Sequence, residues 1–200
     1  MKQIIQQGAE AIISLKKEII TKNRIKKSYR LPILDQRLRK QRTKKESKIL
    51  EKTSKLISVP TLIKTDEKEK IEMQFIDGKK LSEHLDTIPN SLEICKLIGN
   101  NIAILHDNNI IHGDLTTSNM IYSNNKLYFI DFGLSFESNK AEDKAVDLHL
   151  IKQALEAKHF SNFQSFFTSV IEGYKISKHF KETIKRLKSV EKRGRYKKQY

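Results

Sequence analysis

The 200 residues carry 39 Lys and Arg against 24 Asp and Glu, a net charge of +15, with 38% hydrophobic residues, seven Gly and three Pro. That composition excludes a disordered or low-complexity chain and leaves room for one large domain or two small lobes. A single cysteine, Cys95, excludes an internal disulfide framework and Cys-rich zinc modules, and no apolar run approaches the ~20 residues of a membrane span. A soluble protein of the reducing cytoplasm is the expectation, and the opening MKQIIQQGAE has no signal-peptide apolar stretch.

From Gln3 to Lys22, three β-branched runs separated by Gly8 and by Lys16-Lys17 predict an antiparallel meander. After Pro32, residues 34–57 hold scattered Leu and Ile among many charges, without Gly or Pro, and predict a long, exposed helix. TLIKT and IEMQFI flank the charged turn 66–69 and predict a hairpin, with Asp77-Gly78 closing a mostly β first lobe.

Beyond it the period changes. Leu92, Cys95, Ile98, Ile102 and Leu105 recur at helical spacing behind Pro89-Asn90-Ser91. Met120-Ile121-Tyr122 and Leu127-Tyr128-Phe129-Ile130 bracket a second hairpin, and helical patterns run from Asp143 to Ala157, Phe160 to Gly173 and Ser177 to Glu191. The expected fold class is α+β: a β-rich lobe over residues 1–77, an α-helical catalytic lobe over 78–192 and a mobile basic tail over 193–200, with ligand taken up in the cleft between lobes.

The chemistry concentrates in IIHGDLTTSNMIYSNNKLYFIDFGLS, residues 110–135, where Asp114, Asn119 and Asp131 fall on two loops around a hairpin. Phosphoryl transfer needs a carboxylate near the attacking oxygen and hard oxygen ligands for magnesium, and an Asp and Asn five apart followed by Asp-Phe-Gly supply those groups. The six histidines show no metal-ligand spacing, so His112 reads as a structural member of the loop.

This segment resembles the catalytic and metal-binding loops of protein kinases. With QGAEA at 7–11, KNRIKKSYR at 22–30, EDKAVDL at 142–148 and RGRYKK at 193–198, the whole chain resembles the small atypical serine/threonine kinase family of the KEOPS complex, a RIO-like group. The resemblance implies a minimal two-lobed kinase fold, ATP and Mg2+ as cofactors, and serine/threonine kinase (autophosphorylation) and ATPase activity in tRNA threonylcarbamoyladenosine modification. It implies as partners the threonylcarbamoyl transferase subunit, the other KEOPS subunits and tRNA, with fusion to the partner left open.

By position, Asp114 matches the catalytic aspartate, and Asn119 and Asp131 match the metal-binding pair. Lys22, with Lys26 and Lys27 as competitors, matches the phosphate lysine, and Glu46 its glutamate partner; an i,i+4 pair with Arg42 would explain Glu46 equally simply. Gly8 and Ala9 match the nucleotide cover, although Gly8 is the sole glycine before residue 77. Gly113 and Thr116 stand where kinases usually carry Arg and Lys, which implies no phosphorylation-dependent loop and weak protein-kinase turnover. Asp147 either caps a helix or anchors the catalytic loop.

The basic excess lies in residues 16–55 (16 basic, 4 acidic) and 174–200 (11 basic, 2 acidic). Such blocks suit a polyanion, or a solvated helix face. In the tail, Arg193, Arg195, Lys197 and Lys198 are the candidate contacts to nucleic acid or a partner. Two rival functions stay open: a small-molecule phosphotransferase, and a non-catalytic tRNA-binding scaffold with a vestigial nucleotide site.

Overall fold

Alternating β-branched residues and one charged helix build the first unit of the computed structural model, which describes residues 3–196, with side chains as far as Arg193. The chain divides after Asp77 into two compact units.

In the first, β1 (Gln3–Gln7), β2 (Ala11–Lys16) and β3 (Ile19–Arg24) precede α1 (Pro32–Thr53), followed by β4 (Leu62–Thr65) and β5 (Lys70–Gln74). The strands form one antiparallel sheet in the order β1-β2-β3-β5-β4. Lys22 stands in the middle of β3, opposite Ile13 of β2 and Ile71 of β5, so its place in the ladder is determined on both sides. α1 starts with Pro32 in its first turn, where the missing N–H costs nothing. It packs against β4 and β5 and is not the largely exposed helix that its polar composition predicts. Asp35, Thr43, Glu46, Ser47 and Thr53 are buried on it beside Ile49 and Leu50: Glu46 is drawn inward by Lys22 and Arg24 of β3, and Asp35 is satisfied by the Lys27 N–H and by Arg39 one turn on along α1 itself.

The second unit opens with β6 (Lys79–Lys80), α2 (Leu81–His84) and a 3-10 turn, Leu85–Thr87, then α3 (Ser91–Asp107) and β7 (Ile110–Ile111). A second 3-10 turn, Thr117–Asn119, leads into the hairpin β8 (Met120–Ser123) and β9 (Lys126–Phe129), and β10 (Phe136–Glu137) returns to pair with β7. Asn124 and Asn125, both at positive φ, close the β8–β9 hairpin with the turn geometry that Asn tolerates. The helices α4 (Ala141–Lys158), α5 (Phe163–Tyr174) and α6 (Phe180–Tyr196) complete the unit.

Its core is α3 laid on α5: Ile94, Cys95, Ile98 and Ile102 meet Phe166, Val170 and Tyr174, all essentially inaccessible. Close approach is permitted by two glycines, since a Cβ on Gly99 would run into the Val170 carbonyl and one on Gly173 into the Lys96 carbonyl. α6 extends past the predicted end of the helical pattern to Tyr196, carrying Arg193 with it. The anchor is electrostatic: Arg186 and Arg193, seven residues apart and so on one helix face, both bond Glu142 of α4. The basic tail expected from Arg193 onward therefore begins as helix; Arg195 lies on it, its side chain outside the description, and Lys197 and Lys198 lie outside the described residues.

Candidate active site

In the first unit, period-2 alternation points Lys22 and Arg24 of β3 to the same face. Both reach Glu46 of α1: Lys22 Nζ lies 2.7 Å from Oε1 and Arg24 Nη2 lies 2.5 Å from Oε2. All three are buried, with Glu46 only 3% exposed. Lys22 is thus the lysine in register with Glu46. Lys27 Nζ instead donates to the Ala9 carbonyl, and Lys26 lines a separate cavity beside Gln36 and Lys40. Arg42 pairs not with Glu46 but with Glu10. Gly8 and Ala9 form the β1–β2 turn, where the Gly8 N–H donates to the Ala11 carbonyl at 3.0 Å. A Cβ on Gly8 would meet nothing closer than that carbonyl at 3.7 Å, so the fold itself does not demand glycine there.

In the second unit the loop after β7 is held from beneath by Asp147. Its Oδ2 accepts the His112 N–H at 2.7 Å and its Oδ1 the Gly113 N–H at 2.8 Å, while His106 Nε2 stands 3.3 Å from Oδ2. Asp147 is the seventh residue of α4, too deep to cap it, and its role is to anchor the loop. Gly113 adopts φ +79°, and any side chain there would collide with the Leu134 carbonyl. The arginine usual in kinases is therefore excluded by backbone geometry.

Asn119 Nδ2 donates to both the Asp114 carbonyl at 2.9 Å and Asp114 Oδ2 at 2.8 Å, which fixes the carboxylate and leaves the amide oxygen Oδ1 as an acceptor. The Asp131 loop is stitched to this one at three points: Ile130 N–H to the Asn119 carbonyl, Ser135 Oγ to the His112 carbonyl, and His112 Nε2 to the Ile130 carbonyl. Asp131 itself is exposed, at φ +60°, an uncommon conformation for a residue with a side chain. Its Oδ1 accepts the Gly133 N–H at 3.1 Å.

His112 is fully enclosed, its ring 4.8 Å from that of Phe132. Burial pushes its pKa below the usual histidine value, against the opposing pull of Asp147, Asp114 and Asp131. The carbonyl at Nε2 and the Asp114 N–H at Nδ1 select the neutral tautomer protonated at Nε2. Three carboxylates thus surround one uncharged ring.

The hard oxygens of Asn119 and Asp131 fit magnesium, which takes one or two protein ligands and completes its octahedron with phosphate and water. No cluster of three or more His, Cys, Asp or Glu suited to a metal occurs among the described residues, so an all-protein cage is not what this donor set offers. Only 13 residues separate Gly133 from Asp147, and β10 and the first turns of α4 occupy most of them. No helix among the described residues is long and apolar enough to cross a membrane. Arg24 was not anticipated from sequence, although its position two residues after Lys22 carried the signal.

Residues 8–166 match the RIO domain family model. The chain is 40% identical over 211 residues to the KEOPS complex subunit Bud32 of Pyrococcus abyssi, covering 97% of this chain and 96% of that protein. It is 41% identical over 199 residues to a probable bifunctional tRNA threonylcarbamoyladenosine biosynthesis protein of Methanococcus maripaludis, covering 96% of this chain but 36% of that longer protein. Among solved structures, the Rio2 kinase of Chaetomium thermophilum, determined as an ADP/Mg2+-phosphoaspartate complex, aligns with a TM-score of 0.64 at 13% identity, over 96% of this chain and 70% of that one. The α+β fold is that of a RIO-type kinase.

Proposed function

The chain belongs to the RIO domain family, and from that premise we propose that it is an atypical, magnesium-dependent serine/threonine protein kinase and ATPase serving a cytoplasmic KEOPS assembly in tRNA threonylcarbamoyladenosine formation. The observation that carries the reading is the pair of stitched loops holding Asp114, Asn119 and Asp131.

In this reading Asp114 orients the attacking oxygen and receives its proton, and the Asn119 amide keeps the carboxylate in place. Asn119 Oδ1 and Asp131 hold magnesium, which when bound neutralises charge on the transferring phosphate. Lys22, held by Glu46, contacts the nucleotide phosphates, and the Gly8-Ala9 backbone covers them. Thr116 brings no cation to the γ-phosphate, which favours slow turnover. The threonylcarbamoyl transferase is the proposed partner: a relative in which this chain matches only 36% of the length, under a bifunctional name, supports a close working link between the two activities.

The test is nucleotide-dependent thermal stabilisation with and without Mg2+. At about 100 times Kd, ADP should add about 2.7 kcal/mol, and so several degrees, in Mg2+ only. Asp131→Asn should abolish the metal dependence. Lys22→Ala should lower ATP hydrolysis, measured with the partner subunit and tRNA, far more than Lys26→Ala. Equal stabilisation in chelator would overturn the metal assignment, and equal losses in the two lysine variants would overturn that of Lys22.

A further inference from the structure

The 3-10 turn bearing Asn119 is held at its other end by residues that none of the roles above uses. Thr117, the first residue of that turn, is fully buried, and its hydroxyl lies 3.2 Å from His159 Nε2 at the end of α4. The opposite ring nitrogen, Nδ1, lies 2.5 Å from Asp86 Oδ2 in the 3-10 turn after α2. Asn162 Nδ2 donates to the second oxygen of Asp86 at 2.9 Å, and the Phe166 ring packs edge-on to the imidazole, 5.9 Å between centroids. His159 is 2% exposed.

We propose that Asp86 and His159 are positioning residues for the metal-binding turn, acting through the Thr117 hydroxyl to fix Asn119; the inference rests on the assignment of Asn119 to magnesium. A carboxylate only accepts, so it requires a proton on Nδ1, which leaves Nε2 to bond Thr117 Oγ1. The hydroxyl has no other partner among the described residues, and its direction is thereby set. Asp147 secures the Gly113 end of the loop, and this strut secures the Asn119 end. Asn119 is only two residues from Thr117 and must present Oδ1 while Nδ2 holds Asp114, so rotation of the turn disturbs both oxygens together. Hydrogen-bond partners behind metal ligands typically affect metal affinity by about 10–100-fold.

The experiment is a Mg2+ titration at saturating ADP, followed by thermal shift and by calorimetry, on wild type, Thr117→Val, Thr117→Ser and His159→Phe. Thr117→Val keeps the shape and removes the hydroxyl, and it should raise the Mg2+ midpoint about tenfold or more. Thr117→Ser restores the hydroxyl and should stay within about twofold of wild type. Where His159→Phe folds, it should match Thr117→Val, and the double variant should be no worse than either. A midpoint unchanged in Thr117→Val overturns the proposal, whatever happens to the melting temperature without ligand, and so does an equal loss in the Val and Ser variants. Wild type that binds ADP without any Mg2+ dependence overturns the functional reading and the inference with it, whereas metal-dependent wild type beside unaffected variants overturns the strut alone.

Discussion

Glu46, itself buried, pairs with two buried cations, Lys22 and Arg24, at once. Removing one partner of a buried pair leaves uncompensated charge, at a cost of about 3–5 kcal/mol. Glu46→Ala should accordingly lose about that much in urea denaturation, and a loss below about 1 kcal/mol would show that water already reaches the cations. His112 predicts a pH dependence. Its folded pKa lies below the ordinary 6.5, so the unfolded chain binds the proton more readily. The stability it contributes is complete above about pH 6.5 and is lost as pH falls through the folded value. His149, also lowered by burial, acts in the same direction, whereas Asp35 and Glu142, lowered mainly by arginine hydrogen bonds, lose their contributions only below about pH 4. His112→Gln should therefore flatten the stability profile below about pH 6.5; an unchanged slope there would refute the assignment. At this scale the sequence exposed the motif residues, since Asp114, Asn119 and Asp131 are close in the chain and the 24-residue separation of Lys22 and Glu46 follows kinase spacing. Asp86 and His159 were hidden because they lie 73 residues apart and only folding brings them together, with His159 reaching the loop at Thr117.

Helix α3 pressed onto α5 is the element pair on which the second unit depends. Helix propensity favours alanine over glycine by about 1 kcal/mol, so Gly99→Ala and Gly173→Ala would stabilise isolated helices. Here each added methyl meets a carbonyl of the facing backbone, which no rotamer change relieves. Each substitution should destabilise by about 1–3 kcal/mol net in thermal or urea unfolding, as overpacked sites do. Stabilisation by either would mean that the helices separate without penalty. Apolar periodicity marked α3 correctly, because its buried positions are aliphatic, but it said nothing about which glycines the crossing needs. α1 shows the complementary failure. Its buried face is largely Asp35, Thr43, Glu46 and Ser47, and an apolar-periodicity reading takes such a face for the solvated one. α6 was read too short, and its last described turns carry the ion pairs of Arg193 with Glu142 and of Glu191 with Lys152, which an apolar-periodicity reading does not see.

Across the whole molecule, the +15 charge is not all available to a partner. Arg24 and Lys22 are consumed by Glu46, Arg39 by Asp35 and Glu69, Arg42 by Glu10, and Arg186 and Arg193 by Glu142. Lys44 pairs with Glu67, whose carboxyl is held below its usual range chiefly by that bond and also by the charge of Lys48 and Lys40. Internal pairing thus discounts the first basic block, residues 16–55, and in the last, residues 174–200, where 11 basic residues face 2 acidic ones, it engages Lys175, Arg186 and Arg193 among the described residues. If that end meets tRNA, binding should depend on salt through the counterions released, with a slope of about 0.9 per neutralised phosphate on a duplex. The triple variant Arg195→Ala, Lys197→Ala, Lys198→Ala should keep the melting temperature and ADP binding of the parent while weakening tRNA binding, with a salt slope shallower by about 2–3. Arg193→Ala is the internal control. Its guanidinium is already engaged by Glu142, so its effect on the slope should be well under one charge. Filter binding of tRNA from low to physiological salt decides the matter: unchanged affinity and slope in the triple variant would assign the polyanion contact elsewhere, and a full-charge effect from Arg193→Ala would show that the Glu142 pair opens on binding.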